Sequence, residues 1–463
     1  MKLACFIQEF KQLITLAIPM AIAEAAAMGM AFCDAIYAAH ASIDDLAGVS
    51  LGAAFWSPLI VFSFGALIII ATYAARHIGA NKTQHLDKSL QSGLRLAICW
   101  GLLLSALLFC SHWLMPYFSL SEKAQQVASS YIMWLSPALF LWTLFTALTL
   151  FAEGIGQVKL PMIIAIIGLA FNALANYLLV FGFWFIPAQG GVGCAYATSL
   201  TAILMLVCFV ICIKNPNYSR HQLLKKYYRI PFSEIKKLLL KGLPAGIGAM
   251  SENLIFVSVA LILAATSTQA VAANQMVRTF YEVIFVLIFA LSQAVTIRTA
   301  TAIGSNNSKL IRRCINTGIY STLSIAMLLA LGLYTGASFI IGLYTDDLNT
   351  ASLANSIMLI SAFLLLPDSF QYVMLAIMRA YHDIKIPYLL FTACGWLIAL
   401  PLGLVLCYSN YLSPAPMGPV GLWYGILIGL SVACLALWLR FKLHTQNIRC
   451  HKDQAQLVAE LSV

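Results

Sequence analysis

Of the 463 residues, 61% are hydrophobic and only 10% are charged, whereas soluble domains run near half apolar and a quarter charged. That balance excludes a soluble globular protein. The net charge of +10 is no mark of nucleic-acid binding, because no basic, aromatic-interleaved soluble segment is present to grip a nucleic acid.

In chain order, twelve apolar runs long enough to span a bilayer as helices cover 12–39, 46–74, 90–114, 126–151, 160–184, 191–213, 238–264, 270–301, 314–342, 352–377, 387–408 and 418–441. The first run is long and lacks a small-residue cleavage site ahead of a soluble domain, so it reads as a retained helix rather than a signal peptide. Taking the N-terminus and every second loop, with the adjoining helix ends, 25 of the 27 Lys and Arg lie on one side. The opposite loops hold only Lys123, and Arg278 falls within a span. The positive-inside bias predicts a multi-pass protein of the cell inner (cytoplasmic) membrane, with both termini and the basic Lys214–Lys241 stretch in the cytoplasm. The basic excess then faces anionic membrane lipids. Twelve cysteines are scattered without a CxxC, and Cys208 and Cys212 sit among apolar residues, so they read as small hydrophobes. Eight dispersed histidines give no metal-ligand spacing.

The chain is written twice. Ile78-Gly79-Ala80-Asn81 returns as Ile303-Gly304-Ser305-Asn306, and Gln91-Ser92-Gly93 as Asn316-Thr317-Gly318, both offset by 225. Gln157-x-Lys159-x-Pro161 returns as Asp383-x-Lys385-x-Pro387, and Gly191-Val192-Gly193-x-x-Tyr196 as Pro419-Val420-Gly421-x-x-Tyr424. Pro19 and Pro244 keep the offset of 225. Six spans per half give both halves the same orientation, and such a duplication in a very apolar chain is a signature of transporters. The expected organisation is an N-terminal six-helix lobe (1–215), a cytoplasmic linker (216–236), a C-terminal six-helix lobe (237–442) and a cytoplasmic tail (443–463).

Several ordered motifs make the resemblance specific. Phe32-Cys33-Asp34-Ala35 lies in the first span, followed by Leu46-Ala47-Gly48-Val49-Ser50-Leu51 and Gly79-Ala80. Gly168-Leu169-x-x-Asn172-x-x-x-Asn176 lies in the fifth, and Gly242-Leu243-Pro244 with Glu252 in the seventh. Val271-Ala272-Ala273-x-Gln275 opens the eighth, and Asp368 precedes Arg379-x-Tyr381-x-Asp383 in the tenth. Over residues 10–440 the chain resembles the NorM-like branch of the multidrug and toxic compound extrusion (MATE) transporters. The resemblance implies an all-α integral membrane protein whose two lobes form a V around a central cavity. It also implies a cation-coupled antiporter, using H⁺ or Na⁺, that exports small organic, often cationic, compounds from the cytoplasm by alternating access. A monomer without a cofactor is expected. A lipid or lipid-linked saccharide flippase of the same superfamily is the alternative, and it would want basic residues along the cleft. An integral membrane enzyme is the more distant rival, because no clustered catalytic constellation and no GxxxxGK[ST] motif is present.

Five carboxylates lie within spans: Glu24, Asp34, Glu252, Glu282 and Asp368. A carboxylate in hydrocarbon is costly unless it faces a cavity, pairs or takes up a proton, so function is the default reading for each. Glu252 follows Lys241, and Asp368 precedes Arg379, by eleven residues, or about 16 Å of helix. Both are therefore near the midplane, and the resemblance implies that they couple transport to H⁺ or Na⁺, with a Na⁺ site at Glu252 and Asp368 as one candidate. Asp34 lies nearer the outer end of its helix. The resemblance implies that it forms a second cation site, with Asn172, Asn176 and Gln275 as a supporting polar cluster; packing glue is the competing reading for the asparagines. Arg278 and Glu282, four apart, can pair as a buried salt bridge, with Glu252 as a second possible partner. Alternatively Arg278, Glu282, Glu24 or Tyr372 contacts substrate or tunes the site. Leu364 stands where the family often has a tyrosine, and Tyr372 is the candidate replacement. Phe55, Trp56 and Phe62 on the second span, and Phe280, Tyr281 and Phe285 on the eighth, suit flat organic cations; ordinary packing is the reading for any one of them.

Overall fold

A computed structural model of the chain describes residues 3–184, 187–214, 227–412 and 414–461, with side chains as far as Gln446. Residue 215, residues 216–226 of the expected linker, and the side chains of Arg449, Lys452 and Asp453 in the expected tail lie outside the described residues. The helices in order are α1 (Leu3–Ala41), α2 (Ile43–Leu67), α3 (Ile69–Gly79), α4 (Gln84–Cys110), α5 (Glu122–Gly154), α6 (Lys159–Phe181), α7 (Val192–Lys214), α8 (Phe232–Ala264), α9 (Thr268–Gly304), α10 (Ser308–Gly342), α11 (Leu348–Ala380), α12 (Lys385–Cys394), α13 (Leu400–Tyr408) and α14 (Pro419–Leu461).

Among the described residues these make twelve membrane-length apolar spans. The second span joins α2 and α3 through Ile68, and the eleventh joins α12 and α13 through a π turn at Gly395–Ala399. Several helices outrun the apolar stretch that announces them, the first starting at Leu3 and the seventh at Phe232. Backbone bonding continues past the lipid-length segment wherever no Gly or Pro stops it. Prolines 19, 244 and 367 all stand inside helices, where each removes a backbone donor.

Local chemistry explains the turns. Ser42 caps α2: its Oγ accepts from the Asp45 amide at 3.0 Å and donates to Asp45 Oδ2 at 2.6 Å. The other Asp45 oxygen accepts the Gly191 amide at 2.8 Å, tying the start of α2 to the start of α7. Asp347 caps α11 in the same way; the Thr350 hydroxyl and amide hold its carboxyl below the usual carboxylate range. The repeat also appears in the backbone. Left-handed residues recur in pairs, Asn81 with Asn306, Gly156 with His382, and Gly190 with Gly418, at offsets of 225, 226 and 228 (306 − 81, 382 − 156, 418 − 190).

The helices pack as two compact units, Met1–Asn253 with Gln293–Cys314, and Leu254–Ser292 with Ile315–Val463. The division cuts across α8, α9 and α10 rather than falling at the linker, so the sequence halves and the packing units are not the same objects. In the first unit α5 is central, packing on α2, α3, α4 and α7, while α1 packs on α6. This unit also holds the end of α9 against α3. A Cβ on Gly79 would strike the Thr301 carbonyl, and one on Gly304 would strike the Arg76 carbonyl. Arg76 and Thr301 are themselves 225 apart (301 − 76), so the paired glycines of the repeat make reciprocal contacts. Nearby, Arg298 grips buried Glu9 through two bonds, 2.7 Å from Nε and 3.0 Å from Nη2. Cys314 donates to the same carboxylate at 3.3 Å. In the second unit α14 packs on α11, α12 and α13 around a core that includes Trp423, Leu364, Leu365 and Ile357.

Candidate functional site

The first unit buries a polar cluster around Asp34 on α1. Asn176 donates through Nδ2 to Asp34 Oδ1 at 2.7 Å and to Asn172 Oδ1 at 3.1 Å. Thr198 on α7 donates to Asp34 Oδ2 at 3.0 Å, and Cys194 donates to the Asp34 carbonyl at 3.5 Å. Both asparagines are fully buried. Their i, i+4 spacing on α6 brings them to one carboxylate, and α1 packs directly on α6. Neutral donors alone hold both Asp34 oxygens among the described residues, with no cation in the set. A carboxylate so placed can carry a proton or a cation as well as a charge.

The second unit buries Asp368 in the middle of α11, directly after Pro367. Tyr281 of α9 donates its phenol to Asp368 Oδ2 at 2.5 Å. Asp368 Oδ1 has no hydrogen-bond partner. One turn on, Gln371 is wholly buried with neither its amide nitrogen nor its amide oxygen partnered. Buried polar groups are normally satisfied, so three orphaned atoms on one helix face mark a place built for something besides packing. Cys434 of α14 donates to the Pro367 carbonyl at 2.9 Å, fastening the helix beside the acid.

The MatE family model matches residues 19–178 and again 244–405. The chain belongs to the MatE family. The two MATE segments begin 225 residues apart (244 − 19), at Pro19 and Pro244, which is the offset read from the sequence. The probable multidrug resistance protein NorM of Shewanella oneidensis is 31% identical over 95% of this chain and 96% of its own length. The multidrug resistance protein NorM of Vibrio vulnificus strain YJ016 is 30% identical over 97% of this chain and 98% of its own. Among solved structures, the Vibrio cholerae MATE transporter VcmN in the bent form superposes with a TM-score of 0.84 at 18% identity, covering 96% of this chain and 99% of that one. A MOP superfamily transporter from Pyrococcus furiosus gives 0.84 at 20%, covering 95% and 97%. The protein is thus a NorM-like MATE transporter and not an enzyme.

On this MATE frame several expected roles change hands. The aromatic partner of Asp368 is Tyr281, not Tyr372. The Tyr372 ring instead packs edge-on against Phe285, with centroids 4.8 Å apart, and against Phe289. Gln275 does not join the asparagines: it is exposed on α9, in the other compact unit, and the buried amide at this level is its neighbour Asn274, which accepts from Trp423 Nε1 at 3.1 Å. Helical phase decides this, since adjacent residues point about 100° apart. Arg278 does pair with Glu282, Nε to Oε1 at 2.7 Å, and its guanidinium lies 5.2 Å from the Phe256 ring centroid. The pair is not buried as expected, with side-chain exposures of 20% and 49%. Glu252 and Asp368 share a sequence half yet fall in different compact units, Glu252 being partly buried near the end of the first unit's share of α8. Glu24 is partly buried on α1, and a further acid, Glu153, is buried at the end of α5.

Thr198, Gln371 and Glu153 went unnoticed in the sequence. Gln371 carried a usable signal, sitting three residues after Asp368 on the same helix face. Glu153 lies just past the apolar run, and nothing local marks it as buried. The aromatics mostly serve packing: Phe62 sits edge-on to Trp100 at 5.0 Å, Phe280 edge-on to Tyr344 at 5.3 Å, and Tyr281 stacks on Phe285 at 5.8 Å.

Proposed function

We propose that the chain is a proton-coupled antiporter that exports small organic, often cationic, compounds from the cytoplasm by alternating access. The observation that carries this reading is Asp368: a buried acid within a span, one oxygen held by Tyr281 and the other unpartnered. Such a group can gain and lose a proton at Oδ1 while Tyr281 keeps it in place. Asp34, held only by neutral donors, offers a second exchange point in the first unit, and Glu252 of the seventh span is the third acid of the set. Leu364, buried one turn before Asp368, offers no oxygen on that side; Tyr281 and Gln371 supply the neighbouring oxygens, and the choice of the proton over Na⁺ rests on the gradient test below. The names of the NorM relatives support drug export. The flippase reading draws less support, because Arg278, the cation it would want, is engaged by Glu282.

The test is purified protein in liposomes, with proton and sodium gradients imposed separately while a fluorescent organic cation is followed. A proton gradient should drive uptake, and Asp368→Asn and Glu252→Gln should each cut the driven rate at least tenfold while leaving a folded protein. Drive by sodium alone would move the coupling to Na⁺. Near wild-type transport in both variants would sink the assignment of these acids.

A further inference from the structure

A cavity of about 340 Å³ runs along α3 and is closed by the first turns of α4 and the first turns of α8. All three helix ends are at the basic side of the molecule, where the apolar spans give way to polar sequence. The cavity is lined by Lys88, Lys237, Lys241, His77, His85 and Glu234. Three ammonium groups against one carboxylate leave a net +2 with the imidazoles neutral. Glu234 is committed to Lys88 at 2.7 Å, an ion pair joining α8 to α4. Lys241 donates to the Tyr73 phenol at 2.7 Å and sits 5.4 Å from its ring centroid, which positions the ammonium without neutralising it. Among the described residues neither Lys237 nor Lys241 has a carboxylate partner. The rings of His77 and His85 stack at 5.6 Å and bring imidazole N–H groups to the same wall.

Two uncommitted cations in one cavity select an anion, and lysine serves as a point-charge binder of phosphate. The remaining wall selects a particular kind of anion. Ile70 and Leu238 line the cavity, and exposed Phe232 and Leu240 flank it on α8. A soluble anion has no use for an apolar border. A lipid has, because its phosphates sit at the level where spans end and its glycerol and acyl chains continue along the helix surface. Basic pockets between transmembrane helices on this side of a membrane take such headgroups. We propose that the cavity binds the phosphate headgroup of an anionic phospholipid, a dianionic diphosphatidylglycerol matching the net charge best. Its lining joins α3 and α4 of the first sequence half to α8 of the second, so the bound lipid braces the two.

The experiment is native mass spectrometry of the full-length protein in detergent, titrated with diphosphatidylglycerol, phosphatidylglycerol and phosphatidylethanolamine, each with and without inorganic phosphate. The wild type should bind the dianionic lipid most tightly. The double variant Lys237→Gln/Lys241→Gln should bind it at least tenfold more weakly, Lys237→Arg/Lys241→Arg should retain binding, and Lys442→Gln, a charge removed elsewhere, should change nothing. If the double glutamine variant cannot be recovered folded, Lys237→Gln alone should show several-fold weaker binding. Equal weakening in Lys442→Gln, equal binding of phosphatidylethanolamine, or an unaffected double variant overturns the proposal. Displacement of the lipid by inorganic phosphate at matched phosphate concentration assigns the cavity to a free anion and overturns the lipid reading.

Discussion

At the scale of single residues, the carboxylates of Asp34 and Asp368 differ in what they leave open. Asp34 has both oxygens occupied by neutral donors, whereas Asp368 has one occupied and one bare. The first arrangement specifies a geometry; the second leaves room for a proton to come and go. Arg278 and Glu282 belong to a third kind of arrangement. A fully buried pair would cost about 3–5 kcal/mol on loss of one partner; with exposures of 20% and 49% this one falls in the surface regime of about 0–1 kcal/mol where its open side meets water rather than lipid. In a double-mutant cycle of Arg278→Leu and Glu282→Leu, read as thermal stability in detergent, the coupling energy should fall below about 1 kcal/mol. Arg278→Leu should be the costlier single change, because it also loses the contact with the Phe256 ring. A coupling of several kcal/mol would mean that the pair is desolvated after all.

At the scale of helices, the repeated glycines matter more than their composition suggests. Gly79 and Gly304 let α3 and the end of α9 approach backbone to backbone, each glycine lying under a carbonyl of the other helix. A methyl group at either place forces a backbone shift. Gly332, in the interior of α10, has open space where a Cβ would go. Gly79→Ala and Gly304→Ala should therefore each lower the melting temperature, and by similar amounts, because the contact is reciprocal. Gly332→Ala should leave it unchanged or raise it, since alanine in a helix interior is favoured over glycine by up to about 1 kcal/mol. If all three alanines behaved alike, the close approach would carry no energetic weight. The Glu9–Arg298 pair lies in the same unit and joins the start of α1 to the same part of α9, so α9 is held there by charge as well as by close packing.

At the scale of the whole molecule, the distribution of basic residues makes the sharpest claim. With 25 of 27 Lys and Arg at the N-terminus, in every second loop thereafter and at the adjoining helix ends, reporter fusions placed after Asn215 and after Val463 should both report the cytoplasm in a bacterial host. An external signal at either point would sink this topology, and the parallel orientation of the two halves with it. The twelve spans, their order and the duplication were all legible in the chain, because lipid enforces a minimum apolar length and a repeat leaves offsets that survive divergence. The compact units were not legible. Their boundary passes through α8, α9 and α10, and no local pattern within a helix tells which neighbour each of its halves will pack against.

The same distinction separates the parts of the candidate site. Sequence alone determined the class of protein and the family resemblance, and it marked the acids Asp34, Glu252 and Asp368 as candidates, because a charge inside an apolar run stands out against a strong physical prohibition. It also brought Asn172 and Asn176 together, since their spacing on one helix sets their common face. Only the tertiary structure decided who meets whom between helices. It gave Asp368 the phenol of Tyr281 rather than that of Tyr372, supplied Thr198 to Asp34, set Gln275 apart from the asparagines, and exposed the Arg278–Glu282 pair. Those outcomes depend on the rotation of each helix about its axis. That rotation is set by packing against neighbours more than 80 residues away in the chain, so no window of sequence contains it.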